Sequence, residues 1–273
     1  MDNIAKKLLE LVADWKGEPT KSAFNIREDS ECAGRQNTEN VRIESKTDRP
    51  GIDIIVKNNT KGEKIYIPAL VTHSGVKDLV YNDFYIGENA DVTIVAGCGV
   101  NSDGCDGAEH NGIHRFFLEK GAHVRYEEKH IGTGNGKGLR RIDPVTDARL
   151  DEDAILEMDT VQIGGVDTTM RKTTAQLAAR ARLVIHERIL TEGSQQAQTE
   201  FTVDLDGEDS GVDLISRSVA KDRSNQQYHS RIRGNARCSG HSECDAILAD
   251  QATVNATPAL YASHVDAALI HEA

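Results

Sequence analysis

The sequence predicts an all-β core wound as a right-handed parallel β-helix, a β-solenoid, preceded by a short helix. Two observations predict it. The first is an interval: apolar residues return after 32 positions (118 − 86 = 32), as Ile86, Leu118 and Leu150; Ala90, Ala122 and Ala154; Val92, Val124 and Leu156; Ile94, Tyr126 and Met158. The second is the spacing inside each unit, L-x3-A-x-V-x-I, which returns as Leu177, Ala181, Leu183 and Ile185 after 27 positions (177 − 150 = 27). Alternation of period 2 turns these side chains to one side of a strand. One such strand cannot bury its face alone, whereas stacked copies can, which is the logic of a solenoid with a coil of about two strand units. The recurring Ala suits a tight corner or a crowded interior. Near the C-terminus the spacing returns at half the step: Ile232, Ala236 and Cys238; Leu248, Ala252 and Val254; Ala268 and Ile270.

Taken in order, residues 1–15 read as an amphipathic helix, with Ile4, Leu8, Leu9, Val12 and Trp15 near one face. Such a helix could cap one open end of the coil. Gly17–Pro50 is polar and rich in turn formers, and reads as a linker or an extended covering segment. The division expected is therefore 1–50, helix and linker, and 51–273, the coil. Ile52–Val56 and Lys64–Ile67 are β-type runs joined by the turn Asn58–Gly62. The last unit, Ala267–His271, stops without a cap, so the C-terminal end is a candidate interface.

Composition excludes several function classes. With 32 Lys+Arg against 44 Asp+Glu, the net charge is −12, a poor match to phosphate backbones, so no nucleic-acid partner is expected. No apolar run is long enough to cross a membrane and no signal peptide is evident, so a cytoplasmic protein is expected. Five cysteines, an odd number without a CxxC pair, do not form a secreted disulfide framework or a zinc ribbon. An aromatic content of 4% disfavours a carbohydrate-binding platform. The run Gly132–Gly138 is not a P-loop, because Gly138 stands where Ser or Thr would hold magnesium.

Two groups of residues carry metal or sulfur chemistry. Cys98, in a glycine-rich stretch after a strand, could join Cys105 and His110 or His114 in a soft metal site, or accept sulfur as a thiolate. Toward the C-terminus Cys238, His241, Glu243, Cys244, His264, His271 and Glu272 offer thiolate, imidazole and carboxylate, a donor set that suits iron or zinc. Cys238 sits at the apolar register and reads as core. Cys244 lies outside that register, and His271, following an inward Ile270, is expected to face outward.

These residues together resemble the SufB/SufD family, the scaffold proteins of SUF iron–sulfur cluster assembly. Ser224-Asn225-Gln226-Gln227-Tyr228 is similar to the family's Ser-Gln-Asn-x-Tyr. Asn235-Ala236-Arg237 with Glu243-Cys244-Asp245-Ala246-Ile247-Leu248 is similar to Asn-Ala-Arg…Gln-Cys-Asp-Ser-Met-Leu. Ile270-His271-Glu272-Ala273 is similar to the SufB Glu-His-Glu-Ala, with Ile270 in place of the first Glu. Val95-Ala96-Gly97-Cys98 is similar to Glu-Gly-Cys-Thr-Ala-Pro, with Gly99 and Val100 departing from it, and Asn135–Gly138 resembles a further family loop. The resemblance spans roughly residues 50–273. It implies a parallel β-helix, Cys98 as sulfur acceptor from a sulfur donor protein, and Cys244, His271 and Glu272 as ligands of iron and of a transient Fe–S cluster. It also implies a SufC-type ABC ATPase as partner, and a homodimer or SufB/SufD-type heterodimer formed through the β-helix. The family's C-terminal helical segment, which docks the ATPase, is not expected here. A scaffold rather than a turnover enzyme is thus expected. The alternatives are a β-helix enzyme acting on polysaccharide and an interaction module without cluster chemistry.

Overall fold

A computed structural model describes residues 1–15 and 21–272, so the start of Gly17–Pro50 and the last residue of the Ile270–Ala273 motif lie outside the described residues. The described residues form one helix, α1 (Asn3–Ala13), and two long sheets. The first sheet holds β1 (Ala23–Glu28), β2 (Glu31–Gln36), β5 (Lys61–Tyr66), β6 (Ala69–Val71), β8 (Asp91–Asn101), β10 (His123–Thr133), β13 (Ile155–Ile163), β15 (Arg182–Thr191), β17 (Ser210–Ala220), β19 (Cys238–Leu248) and β21 (Ala267–Glu272). The second holds β3 (Val41–Ser45), β4 (Gly51–Val56), β7 (Lys77–Ile86), β9 (Ala108–Leu118), β11 (Arg140–Ile142), β12 (Val145–Leu150), β14 (Thr168–Leu177), β16 (Gln196–Leu205), β18 (Asn225–Gly234) and β20 (Thr253–Ala262). From β4 onward the chain alternates between the sheets and neighbours within each sheet run parallel, so the fold is the parallel β-helix that the repeat predicts.

The repeat interval is one full coil. Val92 pairs with Val124 and Val124 with Leu156; Ile86 pairs with Leu118 and Leu118 with Leu150. Equivalent side chains therefore stack, as Phe84 does on Phe116 with ring centroids 4.4 Å apart. The Ala of each unit is fully buried at a corner. There Ala90, Ala122, Ala154 and Ala181 each donate to the carbonyl three residues back, and the residue before each Ala is left-handed (Asn89, Gly121, Asp153, Arg180). Asn, Gly and Asp tolerate that backbone best, and small side chains fill the bend, with Thr60, Ser210 and Cys238 at the equivalent place in other coils.

At the C-terminal end the expected phase is off by one residue. Leu269 packs against the core while Ile270 is 56% exposed, and Leu248 is exposed as well. The true rung partners are Val203, Ile232 and Leu260, and Ser210, Cys238 and Ala267. Coils here measure 28 or 29 residues, so an extrapolated half-step drifts, and a slip of one residue in a strand inverts every side chain.

Residues 21–50 are not a linker. They build β1–β3, of which β1 and β3 pair antiparallel with β2 and β4 and finish the N-terminal end of the two sheets. The helix α1 does not cap that end. Its apolar face, Ala5, Leu8, Leu9 and Val12, lies against the outer surface of β8 and β10 with Val95 and Ile131. Small residues on β8 permit the approach: a Cβ on Gly97 would fall 2.4 Å from the Val12 carbonyl oxygen. Gly97→Ala is therefore expected to lift α1 and cost about 1–3 kcal/mol, read as a lower urea midpoint; an unchanged midpoint would mean the helix is not seated there. The Gly132–Gly138 run leaves the coil after β10 and stacks on the loop at 102–106, with Gly136 and Gly138 donating to Ser102 and Gly104.

Candidate functional site

The coil interior is divided lengthwise. The half beside the Ala corner is aliphatic and aromatic, and the other half is polar although equally buried. Alternation produces the division. In β8 the inward positions run Val92, Ile94, Ala96, Cys98; in β10 they run Val124, Tyr126, Glu128, His130. Parallel pairing then lines up Ala96, Glu128, Thr160, Glu187, Ser216 and Cys244 as one inward row, with Cys98, His130 and Gln162 as the row beside it. Five rungs separate the first and last members of the longer row, about 24 Å at the usual strand spacing.

At the N-terminal end of these rows Cys98 is buried within a cluster. Its sulfur, a Glu128 oxygen and a His130 ring nitrogen lie within 4.8 Å of one another. His110 stands on the opposite sheet; its Nδ1 donates to Asp78 Oδ2 at 2.9 Å, and Asp78 accepts from Arg27 at 2.7–3.0 Å. Burial alone would push the Cys98 thiol up, but the adjoining imidazoles of His110 and His130 bring it down to about 7. Burial likewise lowers the His110 imidazole, yet the Cys98 thiolate and the Asp78 carboxylate outweigh it and raise it to about 10. Cys98, His110 and Asp78 thus form a thiol, an imidazole that favours its thiolate, and a carboxylate that orients the imidazole.

Deeper along the row, Arg171 Nη1 donates to Glu128 at 2.6 Å, Arg171 Nε lies 3.2 Å from Glu187, and Arg171 Nη2 donates to His130 Nδ1 at 3.2 Å. Glu187 accepts from Thr199 and Ser216, both at 2.9 Å. Burial raises the Glu187 carboxyl, whereas Glu128 is held well below the usual range: burial opposes this, but His130 and Arg171 prevail. His114 reaches the row through Tyr126, whose hydroxyl lies 2.7 Å from His114 Nδ1 and donates to Glu128; burial lowers His114 to about 4.

The row ends at Cys244. Contrary to the register expected for it, Cys244 is buried in the core on the inward face of β19. Burial, then the charges of Glu187 and Asp245, push its thiol up to about 11. His271 is also turned inward, not outward, because it alternates with the exposed Ile270 and shares parity with Leu269; its Nδ1 is buried without a hydrogen-bond partner. It pairs with Ser242, two residues before Cys244, so the two are diagonal neighbours on one face, with Cα atoms about 8 Å apart. Glu272 does not join them. It lies on the outer face opposite Glu243, and with His241 forms a separate group.

The other soft-site expectation is half met: His110 adjoins Cys98, but Cys105 is exposed and belongs to no three-donor group among the described residues. Glu128, His130, Arg171 and Glu187 were not singled out from the sequence. The signal was present for two of them, since Val124 and Tyr126 face inward and Glu128 and His130 continue that parity.

Residues 80–273 match the family model described as SUF system FeS cluster assembly, SufBD core domain. The chain belongs to the SufBD family. SufBD proteins of archaea are similar to it: an "Iron-sulfur cluster assembly SufBD family protein" of Methanothermobacter thermautotrophicus is 26% identical, covering 72% of this chain and 48% of that protein. One of Archaeoglobus fulgidus is 24% identical (78% and 57%), and one of Methanocaldococcus jannaschii 25% identical (91% and 79%). This SufBD chain thus spans about half the length of the first curated relatives it matches. The family's role is iron–sulfur cluster assembly, and the match takes in every strand from β8 to β21, including both cysteine sites. No helix among the described residues is long and apolar enough to cross a membrane.

Proposed function

We propose that this SufBD protein is a scaffold that accepts sulfur at Cys98 and holds a nascent iron–sulfur cluster at Cys244 and His271. The observation that carries the reading is the pair of adjoining polar rows: one begins with Cys98, a thiol of lowered pKa, and the other runs beside it to Cys244, near the unpartnered imidazole nitrogen of His271. Cys98 as thiolate attacks the outer sulfur of a donor persulfide. The new S–S bond forms on Cys98, the donor's S–S bond breaks, and the donor leaves as thiolate with the bonding pair. Releasing that sulfur as hydrosulfide takes two electrons, which a second thiol supplies by ending as a disulfide.

A cavity of about 250 Å³ supports access from the N-terminal end. It is lined by Arg27, Arg35, Lys46, Arg49 and Cys32, and reaches Ala69, the rung partner of Cys98. Its cationic wall suits an anionic persulfide. At the other end, thiolate gives iron a soft ligand, and imidazole keeps the site weak enough to release its cargo. Cys244 is a neutral thiol until iron displaces its proton. Iron and cluster are cargo here, not a resident cofactor.

Cys244 and His271 lie on the rungs formed by β19 and β21, where the inward side chains Leu269 and His271 are half-buried. A second copy or a SufB/SufD-type paralogue, docking through the β-helix beside these rungs, would complete the ligand set. A SufC-type ATPase would act on this interface by shifting its population between closed and open, in the cytoplasm with the sulfur donor. The test is anaerobic reconstitution with ferrous iron and sulfide. Wild type is expected to gain visible charge-transfer absorption, and Cys244→Ser and His271→Ala to lose most of it. A Cys244→Ser spectrum equal to wild type would overturn the assignment.

A further inference from the structure

We propose a second, independent metal site on the outer face of the coil, in which His241, Glu243 and Glu272 bind a first-row divalent cation. The three side chains each offer a ligand atom within 4.8 Å of the other two. Parallel pairing places them, because β19 sets Glu243 opposite Glu272 on β21, with His241 two residues earlier on the same outward face. All three point away from Cys244 and His271, so the site does not rest on the cluster reading.

The tautomer of His241 decides what the group can do. Its Nδ1 lies 2.7 Å from Asp213 Oδ1 on the neighbouring strand β17. A carboxylate only accepts, so Nδ1 carries the hydrogen and Nε2 keeps its lone pair. That Nε2 is buried and has no hydrogen-bond partner. A ligating imidazole whose other nitrogen donates to a carboxylate is the usual outer-shell arrangement around a metal. The other three-donor group of the described residues, Cys98, Glu128 and His130, lacks this arrangement. There His130 Nδ1 faces the Arg171 Nη2 donor at 3.2 Å, and no carboxylate holds that nitrogen as Asp213 holds His241 Nδ1.

Charge and donor type agree. Asp213, Glu243, Asp245 and Glu272 crowd this surface, and Arg217 pairs with two of them, with Glu243 Oε1 at 3.0 Å and with Asp245 at 3.5 Å. That pairing engages one Glu243 oxygen. One imidazole with two carboxylates and no thiolate suits Mn²⁺, Fe²⁺ or Zn²⁺ over Cu⁺.

Mn²⁺ is the probe, since it favours oxygen and nitrogen donors and leaves the thiols unoccupied. Titrated into the purified protein and followed by the loss of the free-ion paramagnetic resonance signal, it is expected to bind once per chain. Asp213→Asn, which keeps the ring but weakens its orientation, is expected to cost about 10–100-fold in affinity. His241→Ala and Glu272→Gln should abolish saturable binding, with folding checked by circular dichroism. Cys244→Ser should bind as wild type does, even where it fails to hold a cluster. Absence of saturable binding by wild type, or wild-type affinity in His241→Ala, would overturn the proposal.

Discussion

Replacing His110 with alanine is expected to slow sulfur uptake at Cys98 by about 5–10-fold at pH 7, the loss of thiolate outweighing the greater nucleophilicity of a more basic one. A thiol titrating near 7 is about half thiolate there, and one returned to 9 is about 1% thiolate. The His110 imidazolium, with the Asp78 carboxylate behind it, is what opposes the burial of Cys98. Without it burial acts unopposed on that side and the pKa rises. In wild type, uptake should increase as pH rises through about 7 and level off above it; in His110→Ala the rise should move up by about two pH units. Cys98→Ser should take up nothing at any pH. Uptake is read from the mass of the Cys98 peptide after exposure to a small persulfide, so that the exposed Cys32 and Cys105 do not contribute. Identical pH profiles for wild type and His110→Ala would remove His110 from its activating role.

Arg171→Met is expected to destabilise the protein by about 3–5 kcal/mol, the usual cost of leaving one member of a buried ion pair uncompensated. Arg171 lies inside the coil between Glu128 and Glu187 and touches both. Glu187 already has a raised pKa and hydroxyl donors in Thr199 and Ser216, so it can take a proton when the guanidinium is gone. Glu128, held ionised by His130 and Arg171, is left with the larger penalty. Arg171→Met with Glu128→Gln should recover much of the loss, because it removes the stranded charge. The measurement is the urea midpoint of each variant; a shift of Arg171→Met worth under about 1 kcal/mol would show that the interior row is hydrated and the pair is not truly desolvated.

The limits of legibility follow the same physics. Ile86, Leu118 and Leu150 could be matched by eye because coils of equal length stack identical positions. After Leu150 the interval drops to 27 and then varies between 28 and 29, and an alternation extended through unequal coils lost its phase. That lost phase points His271 outward, whereas the structure turns it inward on the same side as Cys244. Polar interior residues were overlooked for a different reason. Glu128 and Arg171 read as surface residues by type, and only their pairing across the coil lets such charges be buried.

Composition, the 32-residue interval and the cysteine-bearing motifs determined the parallel coil, its Ala corners and the family. The tertiary structure alone decided which residues surround the cysteines. It brought His110 and Asp78 from the facing sheet to Cys98, turned Cys244 and His271 to one side of the last rungs, and sent Glu272 to the other. The reason is geometric: contacts along a strand follow from alternation, but contacts between sheets depend on how many residues each turn consumes, and that number varies from coil to coil.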